Sequence, residues 1–254
     1  MAAERFNLID ILPTLQNTEE YYERLVGEIS IASRIIRLSL IFLGCTFLYG
    51  LIMGSTTGLL QALSAGVKVP VLFAVSFFIC FPAFFLLQFI LGSRLKLSQM
   101  VLIVLAGFVL TGAIMISFSP IIVLFMLTGG NYHFLQLLHV AVFVLSGLFG
   151  MKSVLDALKF SCDRKNVYPR TGVVVFRFWV VILAFVGIQL AWNLRPFLAQ
   201  KEEPFVLFRK YEGNFYAAVL YSIDQLLTPT QDTRNARKPD GHLPLFIDST
   251  GKAQ

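Results

Sequence analysis

Charged side chains are missing from the middle of this chain. Leu97 to Met151 are 55 consecutive residues without one Asp, Glu, Lys or Arg. A soluble domain meets water along one face of each element and so spaces its charges much more closely. The stretch therefore reads as membrane-embedded. Its first part, Leu97 to Thr128, would extend about 48 Å as a straight helix, against a hydrocarbon core of roughly 30 Å. That length exceeds one crossing and falls short of two. Pro120 lies where a span beginning near Ser98 should be leaving the bilayer. The pattern predicts a crossing over 98–117, then an extension to 128, kinked at Pro120 and tilted along the interface or buried against other helices.

Apolar runs elsewhere predict spans over 35–54, 69–91, 134–155 and 173–194, giving a five-span bundle across 35–194. The stretch STTGLLQALSAGVK between the first two is short and nearly uncharged, and reads as interfacial. Ahead of the bundle, 1–34 is an acidic segment in which Asn17 and Glu20 resemble a capping box. From that cap Tyr22, Leu25, Val26, Ile29, Ala32, Ser33 and Ile36 recur at helical spacing, the mark of an amphipathic helix on the membrane surface or against another subunit. Behind the bundle, 195–227 mixes aromatic residues with Arg and Lys, the composition of the headgroup layer. Asn214 to Leu227 within it reads as an amphipathic helix on the outer face, and 228–254 as a polar tail. The expected fold is all-α: a polytopic integral membrane protein with five transmembrane helices flanked by N-terminal and C-terminal amphipathic helices.

Composition agrees. Of 254 residues, 56% are hydrophobic and only 14% charged, and 25 are Phe. The net charge of +6 is spread over loops, which argues against nucleic acid as a partner. With the N-terminus in the cytoplasm, the inside segments hold Arg24, Arg34, Arg37, Arg94, Lys96, Lys152, Lys159, Arg164, Lys165, Arg170 and Arg177, and the two outside loops hold only Lys68. The C-terminus is then expected outside. Charged residues and Pro13 occupy the place of a signal-peptide core, so the first span is expected to insert and stay. Cys45, Cys80 and Cys162 imply no disulfide framework.

Candidate chemistry is sparse. No carboxylate occurs between Glu28 and Asp156, so the ionisable group that ion-coupled carriers keep near the midplane is missing from most of the bundle. Gln88, Gln99, Gln136, Gln189 and Asn193 are candidates for a pore lining or for hydrogen bonds between helices. His139, within the fourth span, is the candidate ligand for a haem or chlorophyll metal, although His133 is off its helical face and His242 is in the tail. No catalytic constellation, metal cluster or cofactor motif is expected. Small residues at spacing four suggest close helix packing: Gly50, Gly54 and Gly58, then Ser146 and Gly150, then Gly187 and Ala191. They serve the fold of one chain or a homo-oligomer. Arg177, about two turns into the fifth span, is expected to pair, or share a water, with Asp156 near the same end of the fourth.

The run from Leu86 to Phe125, with Gly92, Arg94, Lys96, Gln99 and Pro120, resembles the middle of the Yip family, five-span proteins named for interaction with Ypt GTPases, and of its Yip-like bacterial relatives. Pro169 to Tyr216 is similar to a pattern in uncharacterised bacterial five-span proteins. Both resemblances imply a bacterial inner membrane, a cytoplasmic N-terminus, an outside C-terminus and a membrane-organising role. The leading expectation is a non-catalytic scaffold or accessory subunit in contact with lipids and other membrane protein subunits. The alternatives are a channel or permease for a neutral or apolar solute, and a cofactor-carrying subunit of an electron-transfer or light-harvesting complex.

Overall fold

The computed structural model describes residues 31–56, 58–93, 95–129, 131–163, 170–198 and 215–227. The N-terminal lead-in with its Asn17 cap, residues 199–214 and the tail 228–254 lie outside the described residues. Helices account for the regular structure: α1 Ile31–Gly54, α2 Leu59–Ile90, α3 Leu97–Leu127, α4 Tyr132–Asp163, α5 Arg170–Asn193 and α6 Phe215–Leu227. The first five are each long and apolar enough to cross a membrane. This is an all-α, multi-pass integral membrane protein.

Turn chemistry explains how the helices reverse. Gly58 and Gly129 adopt φ of +132° and +82°, and Gly92 adopts +85°. A side chain is disfavoured in that region, so glycine closes each short connection. After α2, the Ser93 N–H donates to the Gln88 carbonyl, wrapping the last turn around Gly92. Before α4, Asn131 acts as the cap, its Oδ1 accepting from His133 N at 3.2 Å.

The segment expected to be interfacial between the first two spans is instead mostly helix. α1 ends at Gly54 and α2 starts at Leu59, ten residues before the expected position 69. The reason is local: Leu59, Leu60, Leu63 and Val67 face outward while Gln61, Ala62, Ala65 and Lys68 are buried, a face division that a helix supplies and an irregular loop does not. At 32 and 31 residues, α2 and α3 exceed a bilayer core of roughly 30 Å and must tilt or project from it. Helical structure runs unbroken through Pro70 and Pro82 of α2 and through Pro120 of α3. Around Pro120, Ser119 and Ile122 are buried while Pro120, Ile121 and Leu124 are exposed.

The five long helices close into a ring of neighbours, α2 beside α1, α1 beside α3, α3 beside α4, α4 beside α5 and α5 back beside α2. Small residues set the tightest approaches. A Cβ on Gly50 would stand 2.5 Å from the Ala65 carbonyl oxygen, and one on Gly54 the same distance from that of Gln61. Only glycine lets α1 and α2 approach so closely. Gly150 on α4 faces Thr111 and the Gly107 carbonyl on α3 in the same manner. Ser146 is buried, and its hydroxyl donates to the Val142 carbonyl of its own helix. Gly187 approaches Ser76 of α2, and Ala191 is half-buried. Gly58 does not extend the α1 ridge: a Cβ there would meet nothing within 4 Å, and its role is the reversal.

Candidate functional site

A series of ring contacts links the five spans from one end of the bundle to the other. Starting near the end where α3 gives way to α4, His139 sits against Tyr49 at 5.7 Å between ring centroids, and Tyr49 against Phe143 at 5.8 Å. Phe143 stacks on Phe73 at 5.9 Å. Phe73 meets Phe42 and Phe108, and Phe108 meets Phe77. Phe77, Phe81 and Phe84 continue the line along α2. Phe84 then stacks on Trp179 at 4.7 Å and touches Phe176 at 5.3 Å, both on α5 near the opposite end. All five spans contribute to this column. Edge-to-face and offset contacts each add about 0.5–1.5 kcal/mol beyond the area they bury, and aromatic rings leave little space for water.

Polar side chains inside the bundle tie helices to one another. Tyr49 Oη and His139 Nδ1 share a hydrogen bond of 2.8 Å, joining α1 to α4 across the ring. His139 is 2% exposed, and its Nε2 has no hydrogen-bond partner among the described residues. Gln88 is fully buried and its amide donates to the Gly172 carbonyl at 3.0 Å, which fixes the start of α5 against the end of α2. The Trp179 indole N–H donates to the Cys80 carbonyl at 2.9 Å. The four glutamines and Asn193 considered for a pore do not line one path: Gln136 accepts from Ser222 Oγ at 3.4 Å, and Asn193 is exposed. Gln99 caps the start of α3, its Oε1 accepting from Lys96 N, and Gln189 is exposed on α5.

The end that holds the Gly58 and Gly129 reversals carries a second set of polar contacts. Lys68, only 6% exposed, donates from Nζ to the Pro196 carbonyl at 3.1 Å. Gln61, one face-repeat earlier on α2, donates from Nε2 to the Pro196 and Phe197 carbonyls at 3.0 and 3.1 Å. These carbonyls follow directly on α5, so the ammonium also sits by the negative pole of that helix, which offsets part of its desolvation cost. Arg195 lies over the Trp192 ring and donates to the Trp192 carbonyl at 3.2 Å. Here α6 packs against α4: His133 Nδ1 and Ser222 Oγ share a hydrogen bond of 3.3 Å, and the Tyr221 ring meets that of His133.

The expected Asp156–Arg177 pair does not form. Asp156 instead faces Lys159 of its own helix at 3.6 Å, and Arg177 is exposed. A partner one turn away costs less side-chain ordering than one on another helix. Among the described residues, no group of three His, Cys, Asp or Glu side chains is placed to hold a metal ion. Sequence reasoning also passed over Lys68 and Gln61 as links to residues 196–197, and over Gly107 and Gly112 as close-approach positions. The spacing of Gln61 and Lys68, two turns apart, was the available signal, as was Gly107 with Thr111 at spacing four. No family model matches the chain, and no curated protein or solved structure is significantly similar to it.

Proposed function

We propose that this integral membrane protein is a non-catalytic scaffold or accessory subunit that holds a larger membrane assembly together. One observation carries the reading: a continuous series of ring contacts from His139 to Phe176 draws on all five spans, which supports a packed interior over an open path for a solute. Interior polar groups such as Gln88 and Tyr49 are engaged in ties between helices. Work is then left to the outer surface, where Phe78, Phe89 and Phe178 are 73%, 69% and 68% exposed and available to lipid or to neighbouring subunits.

Charge supports an orientation. Arg34, Arg37, Lys96, Lys152, Lys159 and Arg177 gather toward the end opposite the Lys68 turn, which favours a cytoplasmic location for that end and for the N-terminus. The C-terminal segment is then outside, and the resemblance to Yip-like bacterial proteins favours an inner membrane. The test is extraction of the full chain from its native membrane into nanodiscs, followed by native electrophoresis and mass identification. A stoichiometric assembly with other membrane proteins is the expected result. A chain that travels alone and supports solute flux in liposomes overturns the proposal.

A further inference from the structure

We infer that one water molecule is held inside the bundle between Ser119 of α3 and His139 of α4, extending the Tyr49–His139 hydrogen bond into a tie across three helices. The packing brings these side chains to one place. Gly150 of α4 faces Thr111 of α3, and the Phe125 ring meets the Phe134 ring at 4.8 Å. Because α3 and α4 pack in antiparallel sense, Ser119, eight residues after Thr111 and six before Phe125, falls opposite position 142 by the first contact and 140 by the second. His139 is thus offset from it by about 1.5–4.5 Å along the helix axis. On α3, Met115, Ser119 and Ile122 are buried on one face, and Met115 and Ile122 pack in one cluster with Tyr49 and Val142. Val142 stands one turn beyond His139 on α4 and is buried with it, so Ser119 looks into the space that Tyr49 and His139 share.

Two buried polar atoms in that space have no partner among the described residues, Ser119 Oγ and His139 Nε2. Ser119 breaks a habit of this chain. Thr46, Ser76, Thr111, Ser146 and Ser222 are buried as well, and each donates its hydroxyl to the carbonyl four residues earlier on its own helix. Ser119 makes no such bond to Met115, so its hydroxyl is left for a group beyond its own helix. On the His139 ring, Nδ1 is taken by Tyr49 Oη at 2.8 Å. A neutral imidazole has one donor and one acceptor nitrogen, so Nε2 needs a partner whichever nitrogen carries the proton. Leaving it without one in an apolar interior is costly. Ser119 Oγ and His139 Nε2 do not bond each other, although the packing sets them close together. Water fits between them because it both donates and accepts, and so satisfies either tautomer and the hydroxyl at once. His139 and Ser119 are 2% and 5% exposed, which makes this a single enclosed water and no part of an aqueous path.

The experiment places the full chain, carrying isotope-labelled histidine, in nanodiscs and reads magnetisation transfer from water to the imidazole nitrogens by solid-state NMR. His139→Phe identifies the His139 signal by its loss. Transfer from a slowly exchanging water to that ring is expected, and Ser119→Ala should reduce it at least about two-fold, because the water then keeps one of its two side-chain anchors. Ser117→Ala is the control: it removes an exposed hydroxyl that donates to the Ala113 carbonyl, and it should leave the transfer unchanged. A His139 ring that receives nothing from water in the parent protein, the mark of a dry site or of a direct Ser119–His139 hydrogen bond, overturns the assignment, and that measurement decides without any variant having to fold. Transfer that keeps its full strength in Ser119→Ala, or falls equally in Ser117→Ala, overturns it as well.

Discussion

The two ends of this bundle treat a positive charge in opposite ways. At one, Lys68 is buried and held by a backbone carbonyl beyond the end of α5. At the other, Lys152 and Arg177 stand exposed on the outer surfaces of α4 and α5. A buried ammonium needs fixed dipoles aimed at it, and the Pro196 carbonyl is one of them, so that end is organised around internal contacts. An exposed cation needs only a headgroup layer, so its end is organised toward the surroundings. The contrast separates residues that hold the protein together from residues that connect it to something else.

Predictions follow from that separation, beginning with the interior that both ends share. Gly150→Leu should prevent normal assembly of α3 on α4, at a cost of about 3 kcal/mol, because Thr111 and the Gly107 carbonyl occupy the space a side chain would need. Gly147→Leu is the control on the same helix, since a Cβ there meets nothing within 4 Å, and it should be near neutral in thermal unfolding. If the two variants behave alike, close α3–α4 approach is not what stabilises the bundle.

Next in size, the combined Gln61→Leu and Lys68→Met variant strips the Pro196 carbonyl of both its side-chain donors and should cost about 2 kcal/mol. Faster hydrogen exchange confined to residues 194–198 would identify the loss with that segment. Tyr49→Phe removes one interhelical bond and should cost about 1 kcal/mol, the usual range for such bonds in membranes. Arg177→Gln should change stability by less than about 0.5 kcal/mol, as expected for an exposed charge outside an ion pair. A larger effect of Arg177→Gln than of the Gln61 and Lys68 variant would reverse the assignment of the two ends.

Much of the fold was legible because the bilayer imposes its period bluntly. Five apolar runs of sufficient length can be read without knowing which face of any helix is buried. Which face is buried was harder, since Phe, Leu and Val serve both lipid and interior. The column from Tyr49 to Phe176 uses the same residue type as exposed Phe78 and Phe89, and no local pattern separates them. Small residues were partly legible: Gly50, Gly54 and Gly150 mark close approaches, whereas Gly58 continues their spacing only as a turn residue. Ion pairing was misread at Asp156, because two charges on neighbouring spans look complementary in sequence while a lysine three residues away is the nearer partner. Lys68 was visible as a lone outside cation, but its burial depends on residues 128 positions later.

The most direct test of a filled interior with an outward-facing function is water access at the middle of the column. In a cysteine-free background, Phe108→Cys places a thiol at a position 4% exposed, among the Phe42, Phe73 and Phe77 rings. In liposomes, a membrane-impermeant maleimide added to either side should leave that thiol unlabelled while labelling Lys96→Cys at a helix end. Labelling of Phe108→Cys from one side would reveal an aqueous path along the axis and contradict the account.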